Sequence, residues 1–108
     1  MDDKKEYDRA IADYSHAIRL NPNFAMAYSN RGLAYGYKGD HDRAIADYTQ
    51  AIRLDPDYAN AYNNRGGAYA KKGDYGSAIR DYETALRIDP NVANAKDNLE
   101  RVRRARGR

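Results

Sequence analysis

The chain has 108 residues and a net charge of +3, with 11 tyrosines, one phenylalanine, no tryptophan and no cysteine. Without cysteine there is neither a disulfide nor a thiolate metal site, and no run of 18 apolar residues exists to cross a membrane. Residues 1–90 carry 13 basic and 14 acidic side chains while residues 91–108 carry six and two, so a basic tail follows a nearly neutral body.

The first predicted element is a helix over residues 6–20, with small and apolar side chains at Ala10, Ile11, Tyr14, Ala17 and Ile18. Pro22 ends it, and a second helix is expected over residues 25–38, bounded by Gly39-Asp40. Gly39 suits the left-handed position that closes a helix, and Asp40 can cap the next one. That next helix runs over residues 42–54 and stops at Asp55-Pro56, since the proline ring cannot continue it. The pattern then recurs. Residues 57–90 match residues 23–56 at 19 of 34 positions, and residues 8–22 repeat residues 42–56 with conservative changes. A 34-residue period signifies stacked helical hairpins that each need a neighbour to cover their apolar faces. A last helix over residues 93–106 keeps Ala95, Leu99 and Val102, but places Lys96, Glu100 and Arg103 in the register of Tyr28, Gly32 and Tyr35. A further hairpin could not pack on that face, so this element reads as a solvating cap.

Within a hairpin, Tyr28, Gly32 and Tyr35 form one stripe, and Ala44, Tyr48 and Ala51 form the facing one. Gly32 and the alanines let the helix axes approach while the rings fill the flanking grooves. These residues, with Tyr62, Gly66 and Tyr69, and the series Ala10, Tyr14, Ala17, Pro22 with its two copies ending at Pro56 and Pro90, resemble the tetratricopeptide repeat pattern. The resemblance covers residues 6 to about 104. Tyrosine stands at positions 28 and 62 where the family usually has tryptophan, and arginine at 31 and 65 where it usually has leucine. The Asn-Arg-Gly stretch is similar to that of bacterial members. The fold implied is all-α: a right-handed superhelical stack of antiparallel helix hairpins. It comprises a half repeat (1–22), two repeats (23–56 and 57–90) and a capping helix with its tail (91–108), as one domain.

The opening helix is a second arm without a first. Three readings follow: the sequence is cut from a longer array, the face of Ala10, Ile11, Tyr14, Ala17 and Ile18 pairs with another copy of the chain, or residues 1–5 fold back over it.

A different stripe on the first arms consists of Met26, Ser29, Asn30, Leu33 and Tyr37, then Asn60, Asn63, Asn64 and Lys71, then Asn98 and Arg101. In related arrays this stripe lines a concave groove for extended peptides. Asn30, Asn64 and Asn98 share one register, and an amide both donates to and accepts from a peptide backbone. The stripe grades from apolar to cationic, which suits a ligand with an apolar anchor and an acidic stretch. The carboxylate-clamp members of the family, which hold the acidic C-termini of chaperones, carry a lysine and an arginine where this chain has Asn60 and Asn64; that clamp's cationic half is missing, so the resemblance does not extend to that ligand class.

Catalysis finds little support: the aspartates recur in helix caps and beside arginines, as Asp47 does four residues after Arg43, where they support helices. His16 aligns with Gln50 and Thr84, and His41 with Tyr75, so both read as surface or packing residues; no metal, cofactor or enzymatic chemistry is expected. The arginines at 101, 103, 104, 106 and 108 lack interleaved aromatics, a weak signal for nucleic acid. No secretory signal is legible, which leaves the compartment open with the cytoplasm favoured. The expected work is non-catalytic protein interaction, with self-association as the rival.

Overall fold

The computed structural model describes residues 3–107. It contains six helices: α1 (Asp3–Leu20), α2 (Ala25–Tyr37), α3 (His41–Leu54), α4 (Ala59–Lys71), α5 (Tyr75–Ile88) and α6 (Ala95–Arg106). No strand occurs among the described residues. The chain divides into two compact units, Met1–Pro56 holding α1 to α3 and Asp57–Arg108 holding α4 to α6. The architecture is all-α, built from antiparallel helix hairpins in repeat.

The hairpin turns follow from backbone chemistry at two positions per hairpin. Gly39 and Gly73 take φ of +87° and +84°, a region costly for any residue with a Cβ. Behind each, paired bonds close the helix: Gly39 N–H donates to Gly36 and Asp40 N–H to Tyr35, at 2.9 Å each. Asp40 then turns acceptor for the next helix, taking the Arg43 N–H at 3.2 Å. Asp74 repeats the role for the Ser77 N–H at 3.2 Å and also accepts from the Ser77 hydroxyl at 2.8 Å. Those two bonds hold its carboxyl below the usual carboxylate range.

In the first unit α2 packs on both α1 and α3; in the second α5 packs on both α4 and α6. The helices approach closely at Gly32 and Gly66. A Cβ at Gly32 would come within 2.9 Å of the Tyr48 ring and 3.1 Å of the Ala44 carbonyl; at Gly66 it would come within 2.9 Å of Tyr82. Ala44, Ala51, Ala78 and Ala85 are fully buried along the same seams. Small residues thus set the interhelix distance, and the two tyrosines fill what is left. On its other side α5 meets α6, where Ile79 and Tyr82 cluster with Leu99 and Val102.

Each hairpin is also cross-linked by charge. Arg31 donates Nε and Nη2 to the two carboxylate oxygens of Asp47, both at 2.8 Å, and Arg65 repeats this with Asp81 at 2.8 and 2.9 Å. Both aspartate side chains are only 8% exposed. Arg31 further donates to the Ser15 hydroxyl at 3.1 Å, tying α1 into the same junction. Its guanidinium lies over Tyr28, as that of Arg65 lies over Tyr62 and Tyr69. The hydrogen bond to Asp47 raises the Arg31 pKa against the opposing effect of burial, and Asp81 does the same for Arg65.

Two expectations change here. The sequence spacing assigns Asp47 to Arg43 one turn away, yet Arg43 pairs with Asp40 at 3.5 Å and lies over the Tyr35 ring. A planar guanidinium reaching across the seam satisfies both carboxylate oxygens, which a neighbour on the same helix cannot do so well. Residues 3–5 do not fold back over the opening helix: they continue it as α1. Met1 and Asp2, the rest of that expectation, and Arg108 lie outside the described residues.

Candidate functional site

Two recesses form where a tyrosine-bearing second arm meets the next first arm. In the first unit Tyr7, Ala10 and Tyr14 of α1 face Asn30, Leu33, Ala34 and Tyr37 of α2 across about 180 Å³. Tyr7 and Tyr37 stack with ring centroids 5.2 Å apart, and Lys38 pairs with Asp8 beside them. In the second unit Tyr75 and Tyr82 of α5 face Asn98, Arg101, Val102 and Ala105 of α6, with Gly67, Ala70 and Lys71 of α4 closing a third side. That recess measures about 360 Å³.

These are one site in two copies, since the residues correspond two repeat lengths apart. Tyr7 matches Tyr75, Tyr14 matches Tyr82 and Asn30 matches Asn98. The chemistry changes at two positions: Leu33 becomes Arg101 and Tyr37 becomes Ala105. The first recess is therefore apolar and aromatic, and the second, with Lys71 added, is cationic. Lys71 and Arg101 are exposed and form no ion pair or side-chain hydrogen bond with the described protein. Arg101 lies close enough to Tyr82 to oppose the rise in that phenol's pKa which burial causes.

The sequence-derived stripe divides accordingly. Asn30, Leu33 and Tyr37 come together in the first recess, and Lys71, Asn98 and Arg101 in the second. Met26 is exposed but outside the recess, and Asn60 is exposed on α4. The amides of Asn30, Asn64 and Asn98 make no side-chain hydrogen bond within the described protein. Ser29 does not belong to a contact surface: it is 3% exposed and packed into the first unit. Asn63 is spent on structure, its amide donating to the Ala93 carbonyl at 2.9 Å and fastening α4 to the loop before α6.

The tyrosines at 7, 75 and 82 were not legible as site residues. Tyr14 was legible only as part of the self-association face, yet it and Ala10 stand in the recess beside α2. Their periodicity marks them as packing rings, and only the meeting of two arms opens space beside them. All five residues of that face are half-buried, and α1 has no buried residue at all. Ile11 holds the register of Ile79, which packs on Leu99 and Val102, so it belongs to the side of α1 that faces α2.

The folded hairpins, their glycine seams and the 34-residue period converge with what comparison shows. A family model described as Tetratricopeptide repeat matches residues 29–93, and one described as TPR repeat matches residues 3–39. The chain belongs to the tetratricopeptide repeat family.

Among solved structures, the first TPR of Spaghetti (RPAP3) bound to HSP90 peptide SRMEEVD superposes with a TM-score of 0.92 at 28% identity, over 98% of this chain and 84% of that one. The Arabidopsis OM64 TPR domain gives 0.90 at 32% identity, over 94% and 84%. The second TPR domain of human RPAP3 in complex with HSP70 peptide SGPTIEEVD gives 0.86 at 33% identity, over 94% and 84%. Human serine/threonine-protein phosphatase 5 is 58% identical over 31 residues, which make up 29% of this chain and 6% of the phosphatase. The match thus spans a small fraction of that relative's length.

Other chemistry has little to build on. No helix among the described residues is long and apolar enough to cross a membrane. No three His, Asp or Glu side chains there are grouped to hold a metal ion. His16 sits at the surface 3.4 Å from Arg19. In the arginine-rich tail, Arg103 pairs with Glu83 at 2.9 Å and Arg104 with Glu100 at 3.7 Å, so part of its charge is already answered.

Proposed function

We propose that this chain is a non-catalytic interaction module whose recesses hold side chains of an extended partner segment, with a carboxylate preferred in the second unit. The observation that carries this reading is the unpaired set Lys71, Asn98 and Arg101 around an apolar floor of Val102 and Ala105. Two cations and an amide donate to an acidic side chain or chain end, and the floor excludes water from one side of it. The first recess, with Leu33, Tyr37 and Asn30, suits an apolar side chain whose backbone the amide grips. Two structural neighbours hold peptides rich in glutamate and aspartate, which supports an acidic ligand here as well. The cations that would meet it are at positions 71 and 101, because positions 60 and 64 are asparagines in this chain.

A few charge-assisted bonds at about 1.5–3 kcal/mol each, less the cost of ordering a peptide, correspond to roughly micromolar affinity. Fluorescence anisotropy with SRMEEVD and SGPTIEEVD tests this, alongside versions whose acids are replaced by amides. The acidic forms are expected to bind more tightly, and Lys71→Ala or Arg101→Ala to erase the difference. Equal affinity for acid and amide forms would sink the carboxylate assignment.

A further inference from the structure

The second recess is the first with two parts taken out. In the first unit Tyr37 lays its ring on Tyr7, with centroids 5.2 Å apart, and Lys38 pairs with Asp8 beside the stack. Two repeat lengths further along, the receiving groups are kept: Tyr75 stands at the register of Tyr7, and Arg106 at that of Lys38. What they received is gone. Ala105 replaces Tyr37, and Gly76 replaces Asp8. A ring and a carboxylate are lost together, and the recess grows from about 180 to about 360 Å³.

The groups left behind are unanswered. Tyr75 packs at the edge of the cluster of Ile79, Leu99 and Val102, and it forms no stacked ring pair among the described residues. Arg106, like Lys71 and Arg101, is exposed and makes no ion pair or side-chain hydrogen bond with the described protein. Tyr82 lines the same recess and is 3% exposed, yet its hydroxyl has no hydrogen-bond partner there. Gly67 leaves that hydroxyl uncovered. A Cβ at Gly67 would stand 3.7 Å from it, an ordinary contact, so packing does not demand glycine at 67 as it does at 66. Glycine inside a helix is destabilising relative to alanine, and what it keeps here is open space above a buried phenol.

We propose that the second recess takes an aromatic side chain of the partner segment, stacked on Tyr75 in the place that Tyr37 occupies on Tyr7, with an acidic side chain of the same segment among Lys71, Arg101 and Arg106. This rests on the reading that an extended acidic segment enters the recess, and it names the residue that accompanies the acid. The ligand supplies the ring and the charge that the first unit supplies for itself. Side chains two apart in an extended segment leave on the same side, so the pattern recognised is an aromatic residue, any residue, then an acid. An aliphatic side chain would fill the volume but offer no π face to Tyr75. The Tyr82 hydroxyl is available as a further donor to the acid.

The probe is SGPTIEEVD with phenylalanine, or its saturated analogue cyclohexylalanine, in place of isoleucine, which sets a ring two residues before a glutamate. Anisotropy with the whole chain should show the phenylalanine peptide binding about three- to tenfold more tightly than the cyclohexylalanine one. NMR shifts on binding should centre on Tyr75 and Ala105. Ala105→Tyr rebuilds the stack that the first unit already holds, so the variant should fold as the parent does. It should bring the phenylalanine peptide down to the affinity of the cyclohexylalanine one. Three results would overturn the proposal: equal affinity of the two peptides for the parent chain, a preference that survives Ala105→Tyr, or shifts centred on Tyr7 and Tyr37. Equal affinity for acid and amide forms of the unaltered peptide would instead sink the carboxylate reading beneath it, so the two failures are read from different peptide pairs.

Discussion

Helix α1 of the first unit and helix α5 of the second have the same sequence pattern and different fates. Both carry alanine, aspartate, tyrosine and alanine at matching positions. In α5, flanked by α4 and α6, Ala78, Ile79, Asp81, Tyr82 and Ala85 are all buried; in α1, packed on α2 alone, nothing is. A helix in such an array is therefore amphipathic in sequence before it is buried in fact. Its second flank decides whether an aspartate becomes half of a clasp or a free surface charge. The recesses follow the same rule. The one in the second unit has three walls and twice the volume of the one in the first, and it also exchanges leucine and tyrosine for arginine and alanine.

The contrast can be broken most forcefully at the tyrosines. Tyr82→Ala should cost about 3–5 kcal/mol, since a 3% exposed ring is removed from a seam fixed by Gly66. Tyr14→Ala should cost roughly half as much, because its ring is only half-buried. Urea titration of the two variants measures the difference, and equal losses would mean α1 is covered after all.

Next in size is the clasp. Arg65→Ala leaves Asp81 charged and buried and should destabilise by about 3 kcal/mol, as should Arg31→Ala through Asp47. Asp13→Asn, at the same register without a partner, should change stability by less than about 0.5 kcal/mol. If Asp13→Asn matched Asp47→Asn in a thermal melt, the three aspartates would not differ as described.

A smaller effect concerns the two recesses. Leu33→Arg with Tyr37→Ala gives the first the side chains that the second has. It should gain affinity for an acidic peptide by a few-fold, with a steeper salt dependence, as a new exposed cation contributes about 1 kcal/mol at most. Anisotropy in low and moderate salt reads both quantities.

The smallest effect is alkaline. Burial raises the Tyr48 and Tyr82 phenols above their ordinary value of 10.0. Their folded-state pKa values exceed those of the unfolded chain, so the neutral forms contribute stability fully below pH 10 and lose it as pH rises beyond that. Tyr48→Phe should flatten the decline, and a stability profile by denaturant titration from pH 8 to 11 measures it.

Much of the molecule was legible in its letters. The 34-residue period, Gly39 and Gly73 as helix stops, Asp40 as the next cap, and Gly32 against a facing tyrosine all concern local geometry or contacts that the repeat itself enforces. The apolar-to-cationic grading from Leu33 to Arg101 could also be read, because register fixes which face of a helix a residue shares. Other features escaped for one reason. The Arg31–Asp47 clasp joins residues sixteen apart on different helices, and at that separation a same-helix partner, Arg43, looked the better match. Ser29 and Asn63 sit in the groove register, yet one is buried and the other is spent on the Ala93 carbonyl, because neighbouring elements reach them.

What the sequence determined alone was periodicity: helix positions, turn chemistry, the pairing of small residues with rings, and three equivalent aspartates. Only the tertiary structure decided which equivalents are equal in fact. Burial, clasped charge and recess walls depend on the number of helices that meet at a place, and the pattern of one helix does not contain that number.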